Sequence, residues 1–141
     1  MNKKGITMVS IVMYVVIFFA LTAIATSVTI AMNSNSLTDK GKIYVQESEI
    51  KLKNNLLHSF ENSDGITTIN NKLIFSNNDE YYYEPENKII YKNGGILIQN
   101  VEEMTFELDN HKGLLSLDLN AKVIKFNQEK NINFTTCKGD V

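Results

Sequence analysis

The stretch Ile6–Met32 contains no charged side chain, and Lys3-Lys4-Gly5 stands directly before it. At ~1.5 Å rise per residue such a helix is a rod of roughly 40 Å, longer than the ~30 Å hydrocarbon core of a bilayer. It contains no Gly or Pro, and its Ile, Val, Phe, Ala and Thr residues leave no polar face. A helix that is apolar all round belongs in lipid or among other apolar helices. Lys3 and Lys4 supply a positive-inside signal, which places the rest of the chain outside the cytoplasm.

The remainder of the 141 residues suffices for one small domain with a modest core. A net charge of −2 gives no basic footprint for nucleic acid. Cys137 is the one cysteine, so no internal disulfide can form. The abundance of Asn, Lys and Ile without Trp reads as genome composition.

Asn33-Ser34-Asn35-Ser36 interrupts the apolar run and leaves two alternatives open: a short polar patch in one long helix, or a true turn. A second helical stretch is expected over 33–62, with Ser36 or Thr38 able to cap it. Its apolar residues Ile43, Val45, Ile50, Leu52, Leu56, Leu57 and Phe60 cover about half the circumference, interrupted by Gln46, Glu49 and Lys53. Glu47, Lys51, Asn55 and Ser59 form the opposite, polar face. The apolar side is expected to lie on a sheet, and Gly65 to cap the C-terminus.

From Ile66 the period becomes two. Ile66–Ile69 and Lys72–Phe75 around Asn70-Asn71 predict a tight hairpin. Glu80–Tyr83 and Lys88–Tyr91 flank the turn Pro85-Glu86-Asn87, and Asn93-Gly94-Gly95 marks another turn. Met104, Phe106 and Leu108 alternate with polar residues, as do Leu115, Leu117 and Leu119, with Asn110–Gly113 between them. Ile124/Phe126 and Ile132/Phe134 predict one or two last strands around Gln128-Glu129-Lys130. One antiparallel sheet with one solvated side follows. The fold class is α+β: a long N-terminal helix packed on an antiparallel sheet. The expected segments are a leader over 1–5, a membrane or filament-core helix over 6–32, an amphipathic helix over 33–62 and a β domain over 63–141.

Residues 3–32 resemble the processing signal of type IV pilins and type II secretion pseudopilins. The resemblance implies cleavage by a prepilin peptidase after Gly5, following Lys4, and methylation of the new N-terminus at Ile6. Thr7 matches the common Thr at the second mature position. The C-terminal half is similar to minor pseudopilins of the J/W type, including ComGF-like competence proteins, in three stretches: YYYEPENKIIYKN, ILIQNVEEMTFEL and GLLSLDLN. The implied partners are the peptidase, other major and minor pilins met through the N-terminal helix, and membrane lipid before assembly. The implied location is a single-pass cytoplasmic membrane protein with an extracytoplasmic C-terminal domain, reaching a cell-surface filament after assembly.

Two departures from that family stand out. Ser10 occupies the fifth mature position, usually Glu, whose carboxylate pairs with a neighbour's charged N-terminus. A subunit that starts a filament or sits at its tip has no such neighbour to recruit onto. Alternatively, the family tolerates the change in low-copy subunits. The arm also lacks the internal Pro of many major pilins, which with the missing disulfide points to a minor subunit. Packing and polar contacts would then decide assembly, helped by the small residues Ala20, Ala23, Ala25 and Ser27.

No catalytic constellation stands out, so the chain is not expected to be an enzyme, and no cofactor is expected. His58 and His111 read as solvated surface histidines without a nearby metal set. Asp64, Asp79, Glu80, Glu84 and Glu86 are loop carboxylates without EF-hand spacing. Cys137 reads as an inert thiol. Tyr81 and Tyr83 should share one face of a strand and Tyr82 take the other. Against the filament subunit stand two alternatives: an extracellular binding module on an uncleaved signal anchor, and a secreted protein cut after Ala23-Ile24-Ala25.

Overall fold

The Asn33–Ser36 segment does not break the helix. In the computed structural model, which describes residues 3–111 and 114–139 and side chains over 8–109 and 114–139, a single α-helix, α1, runs from Lys3 to Glu61. Asn and Ser weaken a helix by only a few tenths of a kcal/mol each, whereas a break would orphan the backbone groups of two new ends. Extending an existing helix is also easier than nucleating another. The caps expected at Ser36 or Thr38 are therefore not used.

The chain divides into two compact units, Met1–Leu37 and Thr38–Val141. In the first, the large apolar side chains from Met8 to Met32 are exposed along the helix. Among the described residues, the second contains the last part of α1 and eight antiparallel strands. A five-stranded sheet has the order β1 (Ile66–Ile69), β2 (Lys72–Phe75), β3 (Glu80–Glu84), β4 (Ile89–Lys92) and β5 (Gly95–Gln99). A three-stranded sheet follows in the order β6 (Val101–His111), β7 (Leu114–Lys125) and β8 (Gln128–Gly139). The fold is α+β, as expected, but with two sheets rather than one. The stretch ILIQNVEEMTFEL, similar to a single strand, is split at Asn100, whose φ of 60° turns the chain from β5 into β6. That corner is held by Val101 N–H on the Lys88 carbonyl at 3.0 Å and Ile124 N–H on the Asn100 carbonyl at 2.9 Å.

Among the described residues, three two-residue hairpin turns set the register. Asn70-Asn71, Asn93-Gly94 and Phe126-Asn127 each have positive φ at both positions, the requirement of the mirror-image turn that suits strand twist. The first two were legible as Asn-rich turns. Phe126 was not: expected in a strand, it sits in the turn at φ 49° with its ring half exposed. Gly65 is not a helical cap either; α1 ends at Glu61, and the Gly65 carbonyl accepts from Ser76 N–H at 2.9 Å.

The core lies between the last turns of α1 and both sheets. Val45, Leu52, Leu56 and Phe60 of α1 meet Leu73, Phe75, Tyr81 and Ile90 of the first sheet and Leu117, Leu119, Val123 and Ile132 of the second. The helix buries less of its apolar surface than expected. Ile43, Ile50 and Leu57 are 54 %, 59 % and 42 % exposed. At about 100° per residue these three, each seven apart, align on the side away from Leu52. The expected apolar arc is therefore divided into a buried and an exposed stripe. The expected polar face is likewise drawn partly inward, for Ser59 is fully buried and Asn55 is engaged by the sheet.

Candidate functional site

In the first unit four Ser and Thr hydroxyls turn back onto their own helix. Thr22 donates to the Phe18 carbonyl at 2.8 Å, Thr26 to Thr22 at 2.8 Å, Ser27 to Ala23 at 2.8 Å and Thr29 to Ala25 at 2.9 Å. Each hydroxyl thus keeps a hydrogen bond without water, the condition for residing in hydrocarbon. The helix is long and apolar enough to cross a membrane. Ala23, Ser27 and Ala31 recur at four-residue spacing and share a face, with Ala20 close to it, while Ala25 lies off that face. Ser10 lies on the exposed surface of α1. The side chains of Lys4, Gly5 and Ile6, the expected processing residues, lie outside the described residues, as does that of His111.

The second unit contains a cluster that the sequence did not suggest. Asp79 stands just before β3. Its carboxylate accepts from the Ser59 hydroxyl, from Asn93 Nδ2 at 2.8 Å and from Lys92 Nζ at 3.2 Å. Lys92 also donates to Ser59 Oγ and Asn55 Oδ1, both at 3.3 Å, and lies 5.3 Å from the centre of the Tyr81 ring. Tyr81 Oη is 2.7 Å from Ser59 Oγ and donates to the Asn55 carbonyl at 2.9 Å. Burial pushes the Asp79 carboxyl up, but the hydrogen bonds from Ser59, Asn93 and Lys92, with the Lys92 charge, prevail and bring its pKa to about 2. Burial weighs against the Lys92 charge, and Tyr81 and Asp79 beside it more than offset that, so its pKa lies above the ordinary lysine value.

Ser59 and Tyr81 are both fully buried, so the Ser59 hydroxyl beside Lys92 is closed off from solvent. The cluster fastens the last turns of α1 to β3 and β4. Its one legible trace is parity: Lys92 falls two residues after Ile90, at a core-facing position of β4, where a charge requires a partner.

The other candidates lie apart. Asp64 is 3.8 Å from Lys138, Glu80 pairs with Lys72, Glu84 accepts from Asn87 and Tyr91, and Glu86 is exposed. Among the described residues no group of three or more His, Cys, Asp or Glu is placed to hold a metal. His58 is exposed on α1, and Cys137 is exposed on β8 opposite Ser116. Tyr81 and Tyr83 point inward, the latter donating to the Val101 carbonyl at 2.9 Å, while Tyr82 lies on the outer face. The chain matches no protein-family model, no curated protein and no solved structure.

Proposed function

We propose that this chain is a minor pilin- or pseudopilin-like subunit: a structural and assembly component of a type IV pilus-like filament, processed after Gly5. One observation carries the proposal. The apolar helix that follows Lys3-Lys4-Gly5 continues without a break into a domain of antiparallel sheets. An ordinary secretory signal is cut after its apolar segment and discarded. Cleavage before that segment would keep the helix as part of the mature protein.

In this role the exposed apolar surface has two successive environments. Before assembly it lies in the membrane, with the β domain outside the cytoplasm. In the filament the same surface packs against other pilin helices. Lipid and protein are similarly apolar, so close approach along Ala20, Ala23, Ser27 and Ala31 and local polar contacts would set the preference.

The test is intact mass and N-terminal peptide mass, with and without a co-expressed prepilin peptidase. A chain starting at N-methylated Ile6 only when the peptidase is present supports the proposal. Retention of Met1–Gly5 favours a signal-anchored binding module. A chain starting at Thr26 is a secreted domain and sinks the pilin assignment.

A further inference from the structure

Asn93-Gly94 is the one Asn-Gly dipeptide in the chain. An asparagine side chain is open to attack by the backbone nitrogen of the next residue. That nitrogen bonds to Cγ, the side-chain amide leaves as ammonia, and a five-membered succinimide closes. Water then opens the ring at either carbonyl, leaving aspartate or isoaspartate. The sequence consumes one water, releases one ammonia and transfers no electrons. It is fastest before glycine, where no Cβ hinders the approach. The asparagines at positive φ in the other turns, Asn70, Asn71, Asn78, Asn100 and Asn127, are each followed by a residue with a Cβ.

The turn joins β4 to β5 with φ of 52° at Asn93 and 77° at Gly94, and both residues are exposed. A Cβ at Gly94 would meet no atom within 4 Å. Burial therefore keeps neither water nor space from this site. Hydrogen bonds hold the side chain instead. Asn93 Oδ1 accepts from Glu80 N–H at 2.7 Å, and Nδ2 donates to Asp79 Oδ1 at 2.8 Å. Asn93 N–H also donates to the Glu80 carbonyl at 2.9 Å. Both ends of the planar amide are thus fixed to the start of β3. When the ring closes, Cγ becomes tetrahedral, and Oδ1 and Nδ2 leave the plane in which those two bonds are made.

We propose that Asn93 is a deamidation site held shut by Asp79 and the Glu80 backbone, and that its conversion opens the Asp79 cluster irreversibly. Aspartate in place of Asn93 sets a second carboxylate where Nδ2 now lies, against the carboxylate of Asp79. Two carboxylates sharing one site do not both stay ionised without cost. Isoaspartate instead adds one main-chain atom to a two-residue turn that the register of β4 and β5 leaves no room to lengthen. Either product takes a donor from Asp79, which Ser59 ties to the last turns of α1. The modification is a one-way loosening of α1 from β3 and β4. It needs only water and is independent of the filament role proposed above.

The test incubates the full chain, in detergent, in warm and mildly alkaline buffer. Peptide mass follows conversion at Asn93, in the folded chain and in denaturant. The folded chain should convert at least about tenfold more slowly, since reaction then waits on local opening. Asp79→Ala, with circular dichroism unchanged, should lose most of that protection. Val123→Ala, which weakens the core of the other sheet, should keep most of it. The converted chain, separated by its added negative charge, should unfold at lower denaturant than the parent. Equal rates in the folded and denatured parent overturn the inference, as does equal stability of the converted chain, and neither measurement needs a variant. Full protection in Asp79→Ala also overturns it, as does equal acceleration by Val123→Ala, which would assign the protection to global folding.

Discussion

Ser59 of α1 and Asp79, twenty residues further on, share a hydrogen bond that joins the helix to the start of β3. Lys92, Asn93 and Asn77 complete the carboxylate's shell, and Ser59 Oγ lies 2.7 Å from Tyr81 Oη. A partly buried carboxylate held by that many donors is stabilised in its charged form.

The consequence is a specific acid sensitivity. The Asp79 pKa is about 2 in the folded chain against 3.8 as the reference value. Because the folded value is the lower, the stabilisation is fully present above about pH 4 and is lost as pH falls towards 2. Its size at neutral pH is roughly 2 kcal/mol. Asp79→Asn removes it and leaves Lys92 without its counter-charge, so denaturation of the chain in detergent at pH 7 should show a loss of roughly 2–4 kcal/mol. The variant should also lose less stability than the parent between pH 4 and pH 2. An acid profile identical in both would show that Asp79 is not the titrating group.

Gly41 is a place where helix propensity gives the wrong sign. Alanine favours helix by ~1 kcal/mol over glycine in an exposed interior position. At Gly41, however, a Cβ would lie 2.7 Å from the Lys125 carbonyl oxygen and 2.8 Å from Gln128 Cγ. Gln128 can shift, but the Lys125 backbone belongs to the end of β7. Gly41→Ala should therefore destabilise the domain by roughly 1–3 kcal/mol, measured by chemical denaturation. A gain in stability would mean that α1 and the β7–β8 turn separate without penalty.

The two apolar stripes of α1 should differ sharply. Leu52 is fully buried among both sheets, and Ile50, two residues earlier, is 59 % exposed. Leu52→Ala should cost roughly 2–5 kcal/mol, whereas Ile50→Ala should stay within ~0.5 kcal/mol in dispersed chains. Equal losses in the two variants would place the packing face elsewhere on the helix.

These residues also show what the sequence made legible. The Ile66–Phe75 hairpin was readable because Asn70-Asn71 both tolerate positive φ and the flanking residues alternate. The stripe of Ile43, Ile50 and Leu57 was not separable from Val45, Leu52 and Leu56, since all six are apolar and only the placement of the sheets selects one side. Phe126 read as strand because aromatic residues favour strands, and a positive φ at Phe is a strain accepted for the turn. The Ser59–Asp79–Lys92 cluster depends on contacts between distant segments, and a serine on a polar face or an aspartate in a loop gives no local sign of them. The split of the β region into two sheets falls at Asn100, one asparagine among many in the sequence.

If the chain is the filament subunit proposed above, Ser10 tests its place in the assembly. A carboxylate inside an apolar helix is costly unless it meets a partner charge. In a subunit that joins a growing filament, the N-terminal ammonium of a neighbour supplies that charge. A subunit that starts a filament has no neighbour already in place, and a serine there loses nothing. Ser10→Glu should accordingly leave incorporation into purified filaments within about twofold of the parent, measured by quantitative immunoblotting against the major subunit. A several-fold rise in incorporation would show that the missing carboxylate limits recruitment, and would remove the case for an initiating or tip position.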